Sequence, residues 1–246
     1  MKLLVTGVSH KTAPVAVRES LAFREESLPV SLADLKARGG VSEAMILSTC
    51  NRVEITLTTD DACDPGALVD GFLATLKGVD TVSLQPHLYR HEGRDAIHHI
   101  FRVAASLDSM VVGEPQILGQ LKAAYGAAKD CGAICGWMDG LMSRAFGVAK
   151  RVRSETGIGQ MAVSVSYAAV ELARKIFGSL ANRTIMIVGA GKMSELAARH
   201  LRRSGAPHVF QAFAAVLDEA AAALDRAAVF LRDRLHQPTA TSRASA

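Results

Sequence analysis

A change of hydrophobic pattern near residue 183 constrains the fold of this chain more than any other feature. From Gly66 onward the apolar residues recur with the helical period, but residues Arg183 to Val188 form a short β-rich run. The pattern Gly189-x-Gly191-x-x-Ser194 follows this run, and a helix is predicted from there to Arg203. A strand, a glycine turn and a helix in this order predict the first unit of an α/β domain.

The first sixty residues have the pattern of a small sheet. Strands are predicted over Lys2 to Ser9, Ala44 to Leu47 and Val53 to Thr58. The last of these alternates apolar and polar residues, which is typical of a half-buried strand. The polar turn from Ser48 to Arg52 joins the second strand to the third and presents Cys50 at its tip.

Helical patterns fill most of the remainder. Ile97, Ile100, Phe101 and Ala104 are spaced as one buried helix face, and His99 lies about 200° around the helix from Ile97. We therefore expect His99 to point away from that face, toward a cleft or toward solvent. The predicted helices run from Pro14 to about Phe23, with Thr12 as the cap, and over Ser27 to Arg38, Gln116 to Lys129, Trp137 to Thr156 and Val163 to Phe177.

Composition excludes several classes of protein. Hydrophobic residues make up 49% of the 246 residues, which excludes a disordered or collagen-like chain. No apolar run reaches the length of about 18 residues that a membrane-spanning helix needs, and no signal-peptide core follows Lys2, so we expect a cytoplasmic protein. Cys131 and Cys135 are interpreted as small core residues, and no metal site is expected because few Cys and His residues lie at ligand spacing.

Positive charge is concentrated in one part of the chain. Between Arg144 and Arg203 there are eleven Lys or Arg residues and three Glu residues, whereas the remainder carries a net negative charge. Two interpretations stay open. The basic part binds an anionic partner such as RNA or a phosphorylated cofactor, or it consists of solvated helix faces.

Cys50 is the first candidate for chemistry. A thiol in a polar turn beside Arg52 has the setting of a nucleophile, and a buried structural cysteine is the alternative. His98 and His99 are further candidates, either as functional imidazoles or as solvated surface residues. Their sequence distance from Cys50 does not establish proximity in space.

The turn after the β-rich run has the composition of a phosphate-binding site. Glycines allow a phosphate to approach the backbone, and the helix that follows supplies N–H groups and positive potential. A dinucleotide site also needs a second strand that ends in a residue able to read the ribose. Residues Pro207 to Phe213 show neither a clear second strand nor an acidic or basic residue at its end.

Five segments occur in a fixed order, and their combination is more specific than any one of them: Gly7 to Pro14, Ser48 to Glu54, Ser109 to Ile117, Ala149 to Thr156 and Ala162 to Ser166. Together they resemble the glutamyl-tRNA reductase family, and the resemblance extends from Met1 to about Gly205. It implies the family's activity, which is the NADPH-dependent reduction of glutamyl-tRNA(Glu) to glutamate-1-semialdehyde. This is the first step of the five-carbon route to tetrapyrroles such as porphyrins.

The resemblance also implies roles for individual residues. Cys50 would attack the aminoacyl ester to form a thioester, and His99 matches a position important for activity. Arg52 suits a substrate carboxylate, and Glu114 suits an ammonium group. The positions that hold the glutamyl group are Thr49, Cys50, Asn51, Arg52, Ser109, Glu114, Pro115, Gln116 and Gln120, and those of the NADPH-phosphate turn are Gly189, Ala190, Gly191, Lys192, Met193 and Ser194.

The family's fold implies an α+β N-terminal catalytic domain followed by a partial α/β, Rossmann-like NADPH-binding unit and a helical tail. We expect the glutamyl-tRNA-binding catalytic domain over residues 1–156, a linker helix and the incomplete NADPH-binding unit over 157–207, and the tail over 208–246 as a remnant of a dimerisation domain. An apolar heptad seam in this tail predicts pairing in a homodimer. Its residues are Phe210, Leu217, Leu224 and Leu231, with Ala214, Ala221, Ala228 and Leu235 interleaved.

The sequence departs from the family's pattern after about Gly205. Either an internal deletion joins the first strand–helix unit to the last dimerisation helix, or the tail is unrelated. We expect NADPH to bind more weakly than to a complete reductase, and the thioester to hydrolyse slowly to glutamate. The alternatives are a non-reducing tRNA-binding or regulatory fragment and a glutamyl-tRNA esterase.

Overall fold

The computed structural model describes residues 1–159, 165–180, 184–188, 192–203 and 208–212. The chain divides into two compact units, Met1–Val163 and Ser164–Ala246. None of the described helices is long and apolar enough to cross a membrane.

The first unit is built on a four-stranded antiparallel sheet. Its strands are β1 (Lys2–Ser9), β2 (Val41–Ser48), β3 (Arg52–Thr59) and β4 (Tyr89–Glu92), in the order β2-β3-β1-β4. The three predicted strands are confirmed, and β4 is an addition. The prediction that the third strand is half-buried is wrong, since all eight residues of β3 are buried. This strand has neighbours at both edges and helices packed against the sheet, so its polar side chains also lie in the interior.

Helices cover the sheet and supply most of the core partners. The described helices of this unit are α1 (Val15–Leu21), α2 (Leu28–Ala37), α3 (Pro65–Lys77), α4 (Thr81–Leu84), α5 (Gly93–Ala104), α6 (Gln116–Asp130) and α7 (Trp137–Glu155). Asp64 caps α3 by accepting hydrogen bonds from the N–H groups of Gly66 and Ala67, and Gly78 ends this helix in the left-handed conformation. The core includes Leu4, Met45, Ile46, Leu57 and Phe72.

Three local predictions are wrong. Thr12 does not cap α1; its hydroxyl accepts a hydrogen bond from the Ser9 N–H and closes the turn after β1, and no side chain caps this helix. Cys131 and Cys135 are exposed, because α6 ends at Asp130 and the neighbouring Ala133 and Ile134 occupy the buried positions.

The third concerns α5. The buried residues of this helix are Ala96, His99, Ile100, Val103 and Ala104, so the buried face is rotated from the predicted one. His99 therefore lies on this face instead of opposite to it, and it is 6% exposed. A histidine is tolerated there because its ring has a buried carboxylate as partner. His98, its neighbour, is exposed.

The second unit contains a parallel strand pair. Its described elements are α8 (Val165–Phe177), β5 (Thr184–Val188), α9 (Lys192–Arg203) and β6 (His208–Ala212), and β5 pairs in parallel with β6. Both predicted helices and the first strand are confirmed. The prediction that no second strand follows is wrong: β6 is only five residues long and is formed through pairing with β5, which no local pattern reports.

The strand β6 also corrects the predicted tail. Residues His208–Ala212 are a strand rather than the beginning of a helix, so Phe210 is not part of a helical heptad. The other residues of the predicted seam, from Ala214 to Leu235, lie outside the described residues.

Candidate active site

Cys50 lies in the tight turn between β2 and β3, where its thiol is exposed. The Thr49 hydroxyl accepts hydrogen bonds from the backbone N–H groups of Asn51 (3.2 Å) and Arg52 (3.0 Å), and the Thr49 N–H donates to the Arg52 carbonyl at 2.8 Å. Arg18 donates to the carbonyl of Cys50 at 3.2 Å. The backbone on both sides of the thiol is therefore fixed while the sulfur faces solvent.

A buried carboxylate, Glu54, organises the interior behind this turn. Its Oε1 accepts from the Arg52 guanidinium at 2.5 Å and from the Tyr89 hydroxyl, and it lies 2.8 Å from His99 Nε2. Burial raises the pKa of Glu54, but the hydrogen bond with His99 and the positive charge of Arg52 outweigh this effect and lower the pKa to about 2. Glu54 is thus an ionised acceptor shared by three donors.

A cleft of about 180 Å³ opens next to this carboxylate. The ring of His99 stacks on that of His91 with 4.5 Å between centroids, and His99 Nδ1 lies 3.9 Å from Asp108 Oδ2. Lys11 donates to the other oxygen of Asp108. Burial raises the pKa of Asp108, but the hydrogen bond from Lys11 and the charge of Arg52 lower it overall. The lining residues are Ser9, Lys11, Thr12, Arg52, Tyr89, His91, His99 and Asp108.

The structure brings His99 and Arg52 together in this cleft. Cys50 is not among the residues that line it in the described part of the chain. Arg52 connects the two features, since it follows Cys50 by two residues and its side chain reaches the cleft. Its guanidinium donates to Glu54 and to the Asp108 carbonyl. Because an arginine has five N–H donors, these two bonds leave donors for a ligand.

The loop after α5 carries the next group of predicted residues. Ser106 begins it in the left-handed conformation with φ of 61°, and its buried hydroxyl donates to the Glu114 carbonyl at 2.7 Å. The Gly113 N–H donates in turn to the Ser106 carbonyl at 3.0 Å. A non-glycine residue held in this conformation indicates a loop whose shape is imposed by its surroundings.

Two buried polar atoms of this loop have no hydrogen-bond partner among the described residues. They are Ser109 Oγ and Glu114 Oε2. Glu114 is 6% exposed, and burial raises its pKa. A buried acceptor without a donor is unfavourable, and a cationic ligand group would relieve it. Of the other predicted residues nearby, Pro115 and Gln120 are exposed and Gln116 is half-buried at the start of α6.

The predicted NADPH-phosphate turn is described only in part. Gly189, Ala190 and Gly191 lie outside the described residues, and Lys192, Met193 and Ser194 form the first turn of α9. Strand β5 ends at Val188, directly before this turn, and β6 lies parallel to it. A helix N-terminus that follows a parallel strand in this way fits a pyrophosphate, because its N–H groups and dipole favour negative charge.

Sequence reasoning missed several residues that the fold brings to the cleft. The residues without a predicted role are Glu54, which lies in the segment from Ser48 to Glu54, and Lys11, Tyr89, His91 and Asp108. One signal was present: Tyr89 and His91 are two residues apart, and side chains at this spacing in a strand share a face. The strand itself has only four residues, which is too few for its alternation to be recognised.

Comparisons with known proteins agree with this architecture. The family model "Glutamyl-tRNAGlu reductase, N-terminal domain" matches residues 6–156, and "Shikimate / quinate 5-dehydrogenase" matches residues 171–212. A glutamyl-tRNA reductase of Solibacter usitatus is 83% identical over 85% of this chain and 50% of its own length, and one of Syntrophotalea carbinolica is 58% identical over 82% and 45%.

A solved structure, that of glutamyl-tRNA reductase from Methanopyrus kandleri, matches with a TM-score of 0.57 and 32% identity, and it covers 94% of this chain and 52% of that one. The chain spans about half the length of the curated relatives it matches. The α+β unit is followed by a Rossmann-type strand–helix–strand unit in both the fold and the family matches. The family model covers the Cys50 turn, the Glu54 network and the loop to Glu114. Because it matches more than half of the chain, this chain belongs to the glutamyl-tRNA reductase family.

Proposed function

We propose that this chain catalyses the NADPH-dependent reduction of glutamyl-tRNA(Glu) to glutamate-1-semialdehyde, with Cys50 as the nucleophile. The observation that carries the proposal is the exposed thiol on a turn whose backbone is fixed by Thr49 and Arg18. A nucleophile held in this way needs no rearrangement before attack. Residues 1–156 would perform the glutamyl transfer and 157–207 would contribute to holding the cofactor.

The first step is an acyl transfer. The Cys50 thiolate attacks the carbonyl carbon of the aminoacyl ester, a C–S bond forms, and the C–O bond to the terminal ribose breaks. The ribose oxygen leaves with the electron pair of that bond and takes a proton. The products are a glutamyl thioester on Cys50 and free tRNA.

The unpaired groups of the site suit the glutamyl moiety. The buried Oε2 of Glu114 would accept hydrogen bonds from the α-ammonium group, and Ser109 Oγ would add a further contact. The donors of Arg52 that remain free in the cleft would bind the side-chain carboxylate. Thr49, Asn51, Pro115, Gln116 and Gln120 would enclose the substrate, as the resemblance implies.

His99 is the proposed proton carrier for the leaving ribose oxygen. Its Nε2 is engaged with Glu54, so Nδ1 is the ring atom that faces the cleft beside Asp108. Holding the ring by its far nitrogen fixes the direction in which the other nitrogen acts.

The described part of the second unit fits a dinucleotide. NADPH, when bound, would supply a hydride to the carbonyl carbon of the thioester, and cleavage of the C–S bond would release the aldehyde and regenerate the Cys50 thiolate. The first turn of α9, from Lys192 to Ser194, would hold its pyrophosphate together with Gly189, Ala190 and Gly191, as the resemblance implies. Because α9 follows β5 along the chain, the cofactor would lie at the carboxyl end of the strand.

The experiment incubates the chain with radiolabelled glutamyl-tRNA, quenches it in acid and locates the adduct by mass spectrometry. We expect a glutamyl adduct on Cys50 that Cys50→Ser abolishes and that Cys131→Ser, which removes another exposed thiol, retains. An adduct that survives Cys50→Ser contradicts the assignment.

A second measurement separates reduction from hydrolysis. Semialdehyde and free glutamate are both quantified at saturating NADPH for the unmodified chain and for Cys50→Ser. Cys50-dependent semialdehyde supports the proposal, whereas Cys50-dependent glutamate alone identifies the esterase alternative. If neither product depends on Cys50, the chain acts as a tRNA-binding fragment.

A further inference from the structure

A basic groove lies between α6 and α7, outside the site described above. Its volume is about 570 Å³, within the range of about 300–1,000 Å³ that ligand sites occupy. Its lining includes Lys122, Lys150 and Arg153 and contains no carboxylate. The basic groove is defined here by these three residues together with Phe146 and Gly147.

The three cations of the groove form no ion pair among the residues that the structure describes. This distinguishes them from other cations on the same helices, since Lys129 pairs with Asp139 and Arg151 with Glu155. Three unneutralised cations around one concavity create a positive potential that attracts a polyanion. Two of the three cations, Lys150 and Arg153, lie in the segment from Arg144 to Arg203 in which positive charge is concentrated.

The floor of the groove suits a nucleotide. Lys122 lies 5.7 Å from the centre of the Phe146 ring, so one aromatic face and one cation stand together. A Cβ on Gly147 would meet no atom within 4 Å, so this position leaves open space. Cations that follow a backbone, combined with an aromatic ring for a base, are typical of sites for single-stranded nucleic acid.

One residue of the groove, Arg153, contacts the loop that carries the proposed glutamyl site. Arg153 lines the groove and donates to the Gly113 carbonyl at 3.4 Å, and Gly113 precedes Glu114 in the chain. A ligand that occupies both places must be anionic along one part and carry an ammonium group at its end.

We propose that the basic groove binds the phosphodiester backbone of the single-stranded 3′ end of the tRNA while the glutamyl group occupies the site beside Glu114. The identity of the RNA rests on the proposed function, whereas the preference for a nucleic-acid strand rests on the groove. A free nucleotide is a weaker match, because a single phosphate cannot engage cations spread over two helices.

The test measures the affinity of fluorescently labelled tRNA for the full chain by anisotropy at several salt concentrations. The variant is Lys122→Ala with Lys150→Ala, and the control is Arg24→Ala with Lys36→Ala, which removes the same charge from an exposed and a half-buried position outside the groove. We expect the groove variant to bind about tenfold more weakly and to reduce the slope of log K against log salt by about 0.7 for each cation. The control should change neither quantity by as much as twofold.

A second variant tests the space instead of the charge. Gly147→Gln fills the groove without changing its charge, and circular dichroism confirms that both variants are folded. Weaker tRNA binding by both supports the proposal. The proposal is overturned if the lysine variant binds tRNA with unchanged affinity and salt slope. It is also overturned if that variant loses the binding of NADPH or inorganic phosphate but not that of tRNA.

A small ester keeps this result separate from the proposed function. An alkyl ester of glutamate contains no RNA, so its Cys50-dependent turnover should be the same in the groove variants and the unmodified chain. If the unmodified chain forms no Cys50 adduct from the ester or from glutamyl-tRNA, the proposed function fails, and the groove is still judged by the tRNA affinity.

Discussion

The two units of the chain differ in where they keep their charged groups. In Met1–Val163 the central strand β3 carries Arg52 and Glu54 into the interior, where each has several partners. In Ser164–Ala246 the pairs of Glu171 with Arg174 and of Glu195 with Arg199 are exposed, and each lies within about one helical turn. Breaking a buried pair is strongly destabilising, whereas an exposed pair contributes little. The first unit therefore contains a buried ion pair in addition to exposed ones such as Lys129 with Asp139, whereas these two pairs of the second unit lie at its surface.

The sheets of the two units also differ in how far other elements cover them. The antiparallel sheet of the first unit is covered by helices of that unit, and its core is large. The described core of the second unit is small, with Val170, Leu180 and Leu201 buried, and α8 leaves Leu172 and Ile176 exposed. Parallel strands need cover on both faces. We therefore expect the first unit to unfold at the higher denaturant concentration.

One tryptophan makes this comparison measurable. Trp137 is the single tryptophan of the chain and lies in α7, so its fluorescence reports on the first unit alone. Far-ultraviolet circular dichroism follows the helices of both units. Coincident transitions by the two probes would contradict the separation of stabilities.

The largest effect is expected at Glu54. Glu54→Gln removes the nearer counter-charge of the buried Arg52 and leaves only Asp108 at 3.6 Å, so the free energy of unfolding of the first unit should fall by about 3 kcal/mol. Urea denaturation followed by Trp137 fluorescence measures this change. Tyr89→Phe is the matched control: it removes one donor to the same carboxylate and no charge, and should reduce stability by about 1 kcal/mol. Equal effects of the two substitutions would show that the buried charge is not what distinguishes this unit.

We also expect the stability of the first unit to decrease as the pH falls. The folded-state pKa of Glu54 is about 2, below its ordinary value of 4.5, so its contribution to stability is complete above pH 4.5 and is lost as the pH falls toward 2. The loss amounts to about 3 kcal/mol over this window. Asp108, whose pKa is also lowered, adds to it in the same direction. Unfolding free energies measured by Trp137 fluorescence should show this dependence, and Glu54→Gln should remove most of it. If Glu54→Gln leaves the pH dependence of the unfolding free energy unaltered, Glu54 is not the group responsible for it.

Substitution of Glu114 should have the opposite effect on stability to substitution of Glu54. The Oε2 atom of its carboxylate is buried without a donor among the described residues, and burial raises the pKa of Glu114, so at neutral pH the ionised group destabilises the folded chain. We expect Glu114→Gln to raise the unfolding free energy of the first unit by about 1–3 kcal/mol while it weakens the binding of glutamyl esters. A variant that loses both stability and binding would show that Glu114 is a structural residue.

The smallest effect is expected in the second unit. Arg199→Ala removes an exposed pair four residues apart on α9, and its cost should be about 0.5 kcal/mol or less. Circular dichroism measures the lower transition, and Trp137 fluorescence should not change. A loss of more than about 1 kcal/mol would exceed the range of exposed pairs and would place this pair in the structural class of Arg52 with Glu54.

Local patterns predicted what is determined locally. The strands β1, β2 and β3, the turn that presents Cys50 and the unit of β5 and α9 follow from hydrophobic period and turn composition, and the structure confirms them. The strand β6 was missed because it depends on pairing with β5, and β4 because four residues carry too little pattern.

The candidate site depends more on distant contacts. Cys50 and Glu114 were found through motifs, but the Glu54 network joins residues up to 45 positions apart, and no local spacing reports it. His99 was placed on the wrong face because its neighbours were counted as apolar or polar, whereas a buried partner makes a histidine compatible with the core. The predicted burial of Cys131 and Cys135 is wrong because residue type alone was considered: small apolar residues near the end of a helix need not be buried.

The hairpin of β2 and β3 has a consequence for how this sequence tolerates insertions and deletions. Side chains along a strand alternate between the two faces, so Arg52 and Glu54 reach the same interior because they are two residues apart. Cys50 precedes them by the same interval at the end of the turn. One residue gained or lost between Arg52 and Glu54 would turn either the guanidinium or the carboxylate to the opposite face of the strand. For this segment the number of residues is as strict a requirement as their chemical type.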